Sequence, residues 1–278
     1  MPVDNTIYDR LSHSWWDEDG SGLAVLRTGV SPARFGYMKR VLTEQLGIDP
    51  VGLEILDVGC GGGLLAEEFA ALGARVTGVD PSVESLETAR AHGRESGFEI
   101  DYHQGIGEQL PLPDASVDAV YCCDVLEHID DVGRTVGEIA RVLRPGGVFL
   151  YDTINRTRRS RLLVIRLSQD WAATRWAEPD THDWRRFIRP PELERELAAA
   201  GLDVRDRVGI APANPLAAVR AMRDRARGAI TYGELGRRMR IRESRDTSML
   251  YAGYAVKRPA DSAAAGRSVV AVGRSRRS

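Results

Sequence analysis

Residues 53–64 read LEILDVGCGGGL, a short apolar run that ends in an acid and breaks into glycines. A stretch of this kind is a strand that leaves a sheet through a tight turn and enters a helix. Glycine supplies the backbone conformations and close approaches that such a turn requires. The pattern then repeats. GLLAEEFAALG reads as a helix, RVTGVD as a strand, SVESLETARAHGRESG as a helix, and FEIDYHQ, VDAVYCCDV and GVFLYDTI as three more strands. Between the last two, DDVGRTVGEIARVLRPGG reads as a helix stopped by Pro145 and two glycines. Alternation from residue 53 to about 154 predicts a parallel sheet with helices on both faces.

The remaining chain frames this core. PARFGYMKRVLTEQLG carries helical signals ahead of it, PPELERELAAAG reads as a helix between prolines and Gly201, and SMLYAGYAVK alternates as a last strand. A net charge of −2 with 28% charged residues gives no case for a nucleic-acid binder. Positive charge is almost all arginine, with Lys39 and Lys257 the only lysines, a pattern of coding bias before function. The three cysteines have neither zinc nor disulfide spacing, which points to a reducing, cytoplasmic setting. No apolar run approaches the roughly 18 residues of a membrane span, and the N-terminus lacks a signal-peptide apolar region. The basic stretch 156–166 reads as a solvated face with at most peripheral membrane contact.

Backbone amides at a strand–turn–helix junction, with the helix N-terminus behind them, make a ligand site. A dinucleotide fingerprint would place glycine at 59, 61 and 64, but position 64 is Leu. Gly59, Gly61 and Gly63 fit a looser pattern preceded by Asp57. A carboxylate there repels a pyrophosphate and suits a ligand carrying an ammonium or sulfonium group. Asp80 ends the second strand, where an acid commonly accepts both ribose hydroxyls. Leu64 and Asp57 together disfavour a nicotinamide dehydrogenase.

DVGCGGG followed by VTGVD resembles a class I S-adenosylmethionine-dependent methyltransferase. More narrowly, SWWDEDG, SPARFGYM, LDVGCGGGLLAE, CDVLEHIDD and THDWRRFIRPPEL resemble the 3-demethylubiquinone O-methyltransferase family, which methylates phenolic hydroxyls in ubiquinone synthesis. The resemblance covers about residues 5 to 210 and returns at the last strand. It implies an α/β fold, a doubly wound, mostly parallel seven-stranded Rossmann-like sheet with an N-terminal helical cap and a C-terminal lid insertion. The expected boundaries are a cap at 1–52, a methyltransferase domain at 53–258 with acceptor lid insertions at 155–190 and 211–245, and a disordered tail at 259–278. The implied cofactor is S-adenosyl-L-methionine. Its implied contacts are Arg34 on the carboxylate, Gly59, Asp80 and Cys123, with Ile106, Gly107 and Glu108 flanking the adenine. Residues 219–245 are more basic than the family usually shows, which leaves a secondary metabolite as open as a quinone precursor. Oligomeric state is left open.

Methyl transfer displaces an already activated sulfonium, so positioning can supply up to about 7–11 kcal/mol of the catalysis. A phenol of pKa near 10 must also lose a proton, and a general base adds about 10²–10⁴-fold. Such groups belong beyond the C-terminal strand ends, where CDVLEHIDD is placed. Asp124, Glu127 and His128 are spaced i, i+3, i+4 and gather on one side of a turn. His128 can act as a base, or the three can hold a divalent metal, Mg or a transition ion, that lowers the acceptor pKa. Divalent-ion dependence associated with the resembled family supports the metal, while bracing of the turn is a third use. His182, beside Asp183 in THDW, is a second catalytic candidate. The expected reaction is O-methylation of a small aromatic or polycyclic acceptor, with N- or C-methylation on the same scaffold as the alternative.

Overall fold

The computed structural model describes residues 6–259, so the tail expected to be disordered lies, from residue 260 onward, outside the described residues. Strands β1 (Glu54–Val58), β2 (Arg75–Asp80), β3 (Asp101–Gln104), β4 (Val117–Cys122) and β5 (Leu143–Ile154) pair in parallel. Beyond them, β8 (Leu250–Lys257) runs antiparallel between β5 and β6 (Leu202–Pro212), and β7 (Ile241–Ser244) closes the edge. The order is β3-β2-β1-β4-β5-β8-β6-β7 in one sheet.

The sheet therefore has eight strands where seven were expected. The extra one, β7, is a four-residue return against the end of β6. β6 itself carries no clean alternation. A register shift between Val204 and Asp206 throws Arg205 outward, and such a bulge breaks the period-two signature.

Helices α1 (Ile7–Leu11) and α2 (Ser31–Arg40) belong to the cap, and α3 (Leu64–Ala71), α4 (Val83–Glu95) and α5 (Val132–Val142) follow β1, β2 and β4. In α5, Val136, Ile139 and Ala140 recur on one face and are buried, and the Asp131 side chain caps the start by accepting the Arg134 N–H at 2.9 Å. The chain then passes directly into β5 at Leu143, two residues before the expected stop at Pro145.

Aromatic Tyr37, Phe69 and Tyr121 pack one face of the sheet. Val136, Ile139, Phe149 and Leu193, the last from α6 (Pro190–Ala199), pack the other. A third, smaller core joins Val25 of the cap to Ala218 and Ala221 of α7 (Pro215–Ala226) and to Leu235 and Met239 of α8 (Tyr232–Met239). The cap and the second insertion thus share apolar burial. No helix among the described residues is long and apolar enough to cross a membrane.

Candidate functional site

The C-terminal ends of β1, β2 and β4 open into a cavity of about 470 Å³. Arg34, Asp57, Gly59, Gly61 and Asp80 all line it, as do Ile106, Gly107, Glu108 and Cys123. Of the ten residues expected on the cofactor side, only Gly63 is not among the lining. Its φ of +82° starts α3, and a Cβ there would meet the Tyr102 hydroxyl at 2.4 Å.

Glycine at 59 and 62 answers protein, as well as ligand. Gly59 has φ +76°, and a Cβ on it would lie 2.2 Å from Val125. At Gly62 a Cβ would lie 2.3 Å from the Trp15 ring. Trp16 donates its indole N–H to the Gly62 carbonyl at 2.9 Å and stacks on His92 at 3.5 Å between centroids. Both tryptophans of SWWDEDG therefore fasten the cap onto the glycine turn.

Asp80 accepts the Gly61 N–H at 2.8 Å on one carboxylate oxygen and the Ser82 N–H at 2.9 Å on the other. It ties the glycine turn to the start of α4 and still faces the cavity. Burial pushes the Asp57 carboxyl up to about 8, offset in part by the Tyr121 hydroxyl beside it. A cationic ligand group would reverse that shift. Arg34 is buried, with Nη2 at 2.5 Å from Asp124 and Nε at 2.7 Å from Asp152. Asp124 adopts φ +53° and donates its N–H to Asp152 Oδ1 at 2.8 Å.

The catalytic candidates Glu127, His128 and His182 come together, with His182 where Asp124 was expected in a metal trio. Asp124 is held by Arg34, while Glu127, His128 and His182 each offer a donor atom within 4.8 Å of the others. Glu127 Oε2 accepts the Thr153 hydroxyl at 2.7 Å, and its Oε1 is buried without a hydrogen-bond partner, as is His182 Nδ1. Burial, with His182 and Arg186 adding, pushes His128 down to about 3, and burial pushes His182 down to about 4. Burial raises Glu127, with Asp124 adding. Two imidazoles held neutral beside a carboxylate with a spare oxygen fit a divalent ion better than a free base. Asp183 does not orient His182; it caps its own turn by accepting the Arg185 N–H at 2.9 Å. Gln169 holds the His182 backbone, its Oε1 accepting the main-chain N–H at 2.9 Å.

A second cavity, of about 360 Å³, adjoins the first, and Tyr8, Leu26 and Asp124 line both. Its walls are mostly apolar, with Leu23 and Val25 from the cap and Met222, Met239 and Ile241 from the second insertion. The arginines of 219–245 turn elsewhere. Arg237 pairs with Glu18, Arg225 lies 3.4 Å from Asp19, and Arg238 lies 2.7 Å from Glu234. The basic composition of this insertion describes its outer face and its seam with the cap.

Residues 56–151 match the model of a methyltransferase domain. Across 220 residues the chain is 39% identical to a ubiquinone biosynthesis O-methyltransferase of Methylocella silvestris, covering 75% of this chain and 84% of that one. It is 37% identical over 217 residues to the protein of the same name from Agrobacterium fabrum, covering 75% and 85%. The chain belongs to the ubiquinone biosynthesis O-methyltransferase family. Among solved structures, a S-adenosylmethionine-dependent methyltransferase of Thermotoga maritima superposes with a TM-score of 0.60 over 91% of this chain and 98% of that one, at 18% identity. That likeness speaks for the fold alone.

The protein is thus a class I S-adenosylmethionine-dependent methyltransferase acting on a small molecule. Two residues of this methyltransferase's site carried no separate signal in the sequence. Arg186, inside THDWRRF, donates to the carbonyls of Glu127, His128 and Ile129 at 3.3, 3.1 and 2.7 Å and so clamps the CDVLEHIDD turn. Tyr8 places its hydroxyl 3.5 Å from His128 Nε2.

Proposed function

We propose that the methyltransferase transfers the S-adenosylmethionine methyl group to a phenolic oxygen of a quinone-type precursor seated in the apolar cavity. The observation that carries this reading is that His128 lines the larger cavity and His182 the apolar one, with their rings 5.3 Å apart and Glu127 beside them. The larger cavity takes the cofactor. Asp80 accepts the ribose hydroxyls, Asp57 faces the cationic part, and Arg34 meets the cofactor carboxylate. Cys123, Ile106, Gly107 and Glu108 enclose the adenine, and Gly59, Gly61 and Gly63 shape the turn beneath.

Glu127, His128 and His182 would hold a divalent ion, and a bound ion would lower the pKa of the acceptor hydroxyl. Two imidazoles in the donor set favour zinc or another transition ion over magnesium. The protein's own groups hold the acceptor plane, keep water from the sulfonium, and stabilise the oxygen as it loses its proton. The relatives' names favour a ubiquinone precursor, and the apolar walls of Met222, Met239 and Ile241 suit an alkylated ring. The exposed Leu162 and Trp171 beside Arg161 and Arg166 would supply any peripheral membrane contact. In this reading residues 1–52 act as the cap, and 155–190 and 211–245 as the two acceptor lids.

Incubation with S-adenosylmethionine and a series of alkylated catechols, read by mass spectrometry, tests the reading. The expected product is a mono-O-methyl ether whose yield grows with the alkyl chain. Methylation of amines or carbon acids with the catechols left unreacted would overturn it.

A further inference from the structure

Of the three residues that line both cavities, Leu26 offers no polar side-chain atom and Asp124 is engaged by Arg34 at 2.5 Å. The neutral polar group at the junction is the Tyr8 phenol. Its place is fixed from α4. The fully buried Ser85 accepts the Trp15 indole N–H at 3.0 Å and donates to the Tyr8 carbonyl at 3.4 Å. The Tyr8 ring lies nearly parallel to Trp15, with centroids 6.2 Å apart and planes at 12°. A ring held from both its backbone and its face is a wall, and the hydroxyl on it has a defined direction.

That hydroxyl reaches 3.5 Å from His128 Nε2, the outer edge of hydrogen-bond distance, and the two rings meet edge on at 82°. A bond this long gives up little when a better partner arrives. An acceptor oxygen entering from the apolar cavity toward the cofactor passes this point.

We infer that Tyr8 positions the acceptor, donating its phenol O–H to the acceptor oxygen and so selecting oxygenated rings over plain hydrocarbons. This rests on the O-methylation reading above. The acceptor oxygen has one lone pair for Tyr8 and another for the methyl carbon. As the new O–CH₃ bond forms, the S–CH₃ bond breaks and its electron pair stays on sulfur. The acceptor's own proton passes to the Glu127 carboxylate, whose Oε1 is buried without a hydrogen-bond partner, and Tyr8 retains its proton throughout. A residue acting only as wall would do none of this through its hydroxyl.

Calorimetry on the full chain saturated with S-adenosylhomocysteine, using para-propylphenol and propylbenzene as probes, separates the roles. The wild type is expected to prefer the phenol, and Tyr8→Phe to lose about 3- to 10-fold of that preference, the worth of one neutral hydrogen bond, with propylbenzene affinity unchanged. In turnover of an alkylcatechol, Tyr8→Phe is expected to lower kcat/KM by at least the same factor while S-adenosylhomocysteine affinity stays within about two-fold. A Tyr8→Phe protein that keeps the full wild-type preference and turnover overturns the role of Tyr8 and leaves the O-methylation reading standing. A wild type that binds neither probe overturns the reading of the apolar cavity, and this inference with it.

Discussion

Arg34 Nε lies 2.7 Å from Asp152 Oδ2, a buried ion pair that fastens the cap to the floor of the sheet. Asp152 is fully buried on β5, and its other oxygen accepts the Asp124 N–H at 2.8 Å. One carboxylate therefore sets both the cap arginine and the left-handed turn that leads into CDVLEHIDD. Replacing it by alanine strands Arg34, and removing one partner of a buried pair typically costs about 3–5 kcal/mol. Because Asp124 remains beside Arg34, Asp152→Ala is expected near the lower end, about 3 kcal/mol, in urea unfolding of the ligand-free protein. Asp152→Asn, which keeps an oxygen for the Asp124 N–H, is expected to lose less. An alanine variant as stable as the wild type would remove Asp152 from this role.

Asp80→Ala is expected to weaken S-adenosylhomocysteine binding by roughly 2–4 kcal/mol, through loss of two charge-assisted hydrogen bonds to the ribose. The Gly61 and Ser82 amides lose their acceptor as well, so some of the loss reflects a loosened turn. Asp80→Glu should fall between the two. Unchanged affinity in a folded alanine variant, by calorimetry, would show that the ribose is anchored elsewhere.

Asp57 sets a pH dependence. An exposed aspartate ionises near pH 4, whereas burial pushes Asp57 up to about 8. Between these values the folded, ligand-free chain holds a proton that the unfolded chain has released. Stability contributed by that proton is full below about pH 4 and is lost as pH rises through about 8. The melting temperature of the ligand-free protein should therefore fall from pH 6 to pH 8.5, by about 2–4 °C for each kcal/mol. Asp57→Asn should flatten the fall, and bound S-adenosylmethionine should flatten it too by favouring the carboxylate. A slope identical in Asp57→Asn would assign it to other groups.

How far the site was legible follows from the range of each contact. Asp57, the glycine turn and Asp80 stand within one strand–turn–helix unit and its neighbour, and local pattern exposes them. Glu127 and His128 were visible by spacing, but Asp124 was not separable from them by spacing alone. Its left-handed backbone and its pairing with Arg34, ninety positions away, turn it from the other two. His182 replaces it through a lid that no local pattern folds inward. β6 stayed hidden because a bulge and four charged residues from Asp203 to Arg207 mask its period. The arginines of 219–245 left a secondary metabolite as open as a quinone precursor, because composition does not tell which face of a helix meets acids of the cap.

Metal removal separates the two uses of the acceptor-side group. Treatment with EDTA is expected to abolish turnover, and zinc or manganese to restore it more fully than magnesium. Glu127→Gln should need higher metal concentrations for the same recovery. Full activity after exhaustive chelation, verified by elemental analysis, would return His128 to the role of a simple base despite the burial that disfavours its charged form.

The most direct test is His128→Ala, measured in parallel for cofactor affinity and for single-turnover methylation of an alkylcatechol at saturating acceptor. His128 lines the cofactor cavity, and its ring lies 5.3 Å from that of His182, which lines the apolar one. S-adenosylhomocysteine affinity is expected to stay within about two-fold of the wild type, while the rate falls by about 10²-fold or more, the lower end of proton-transfer effects. Wild-type turnover in His128→Ala would contradict the account and leave His128 as a brace of the turn.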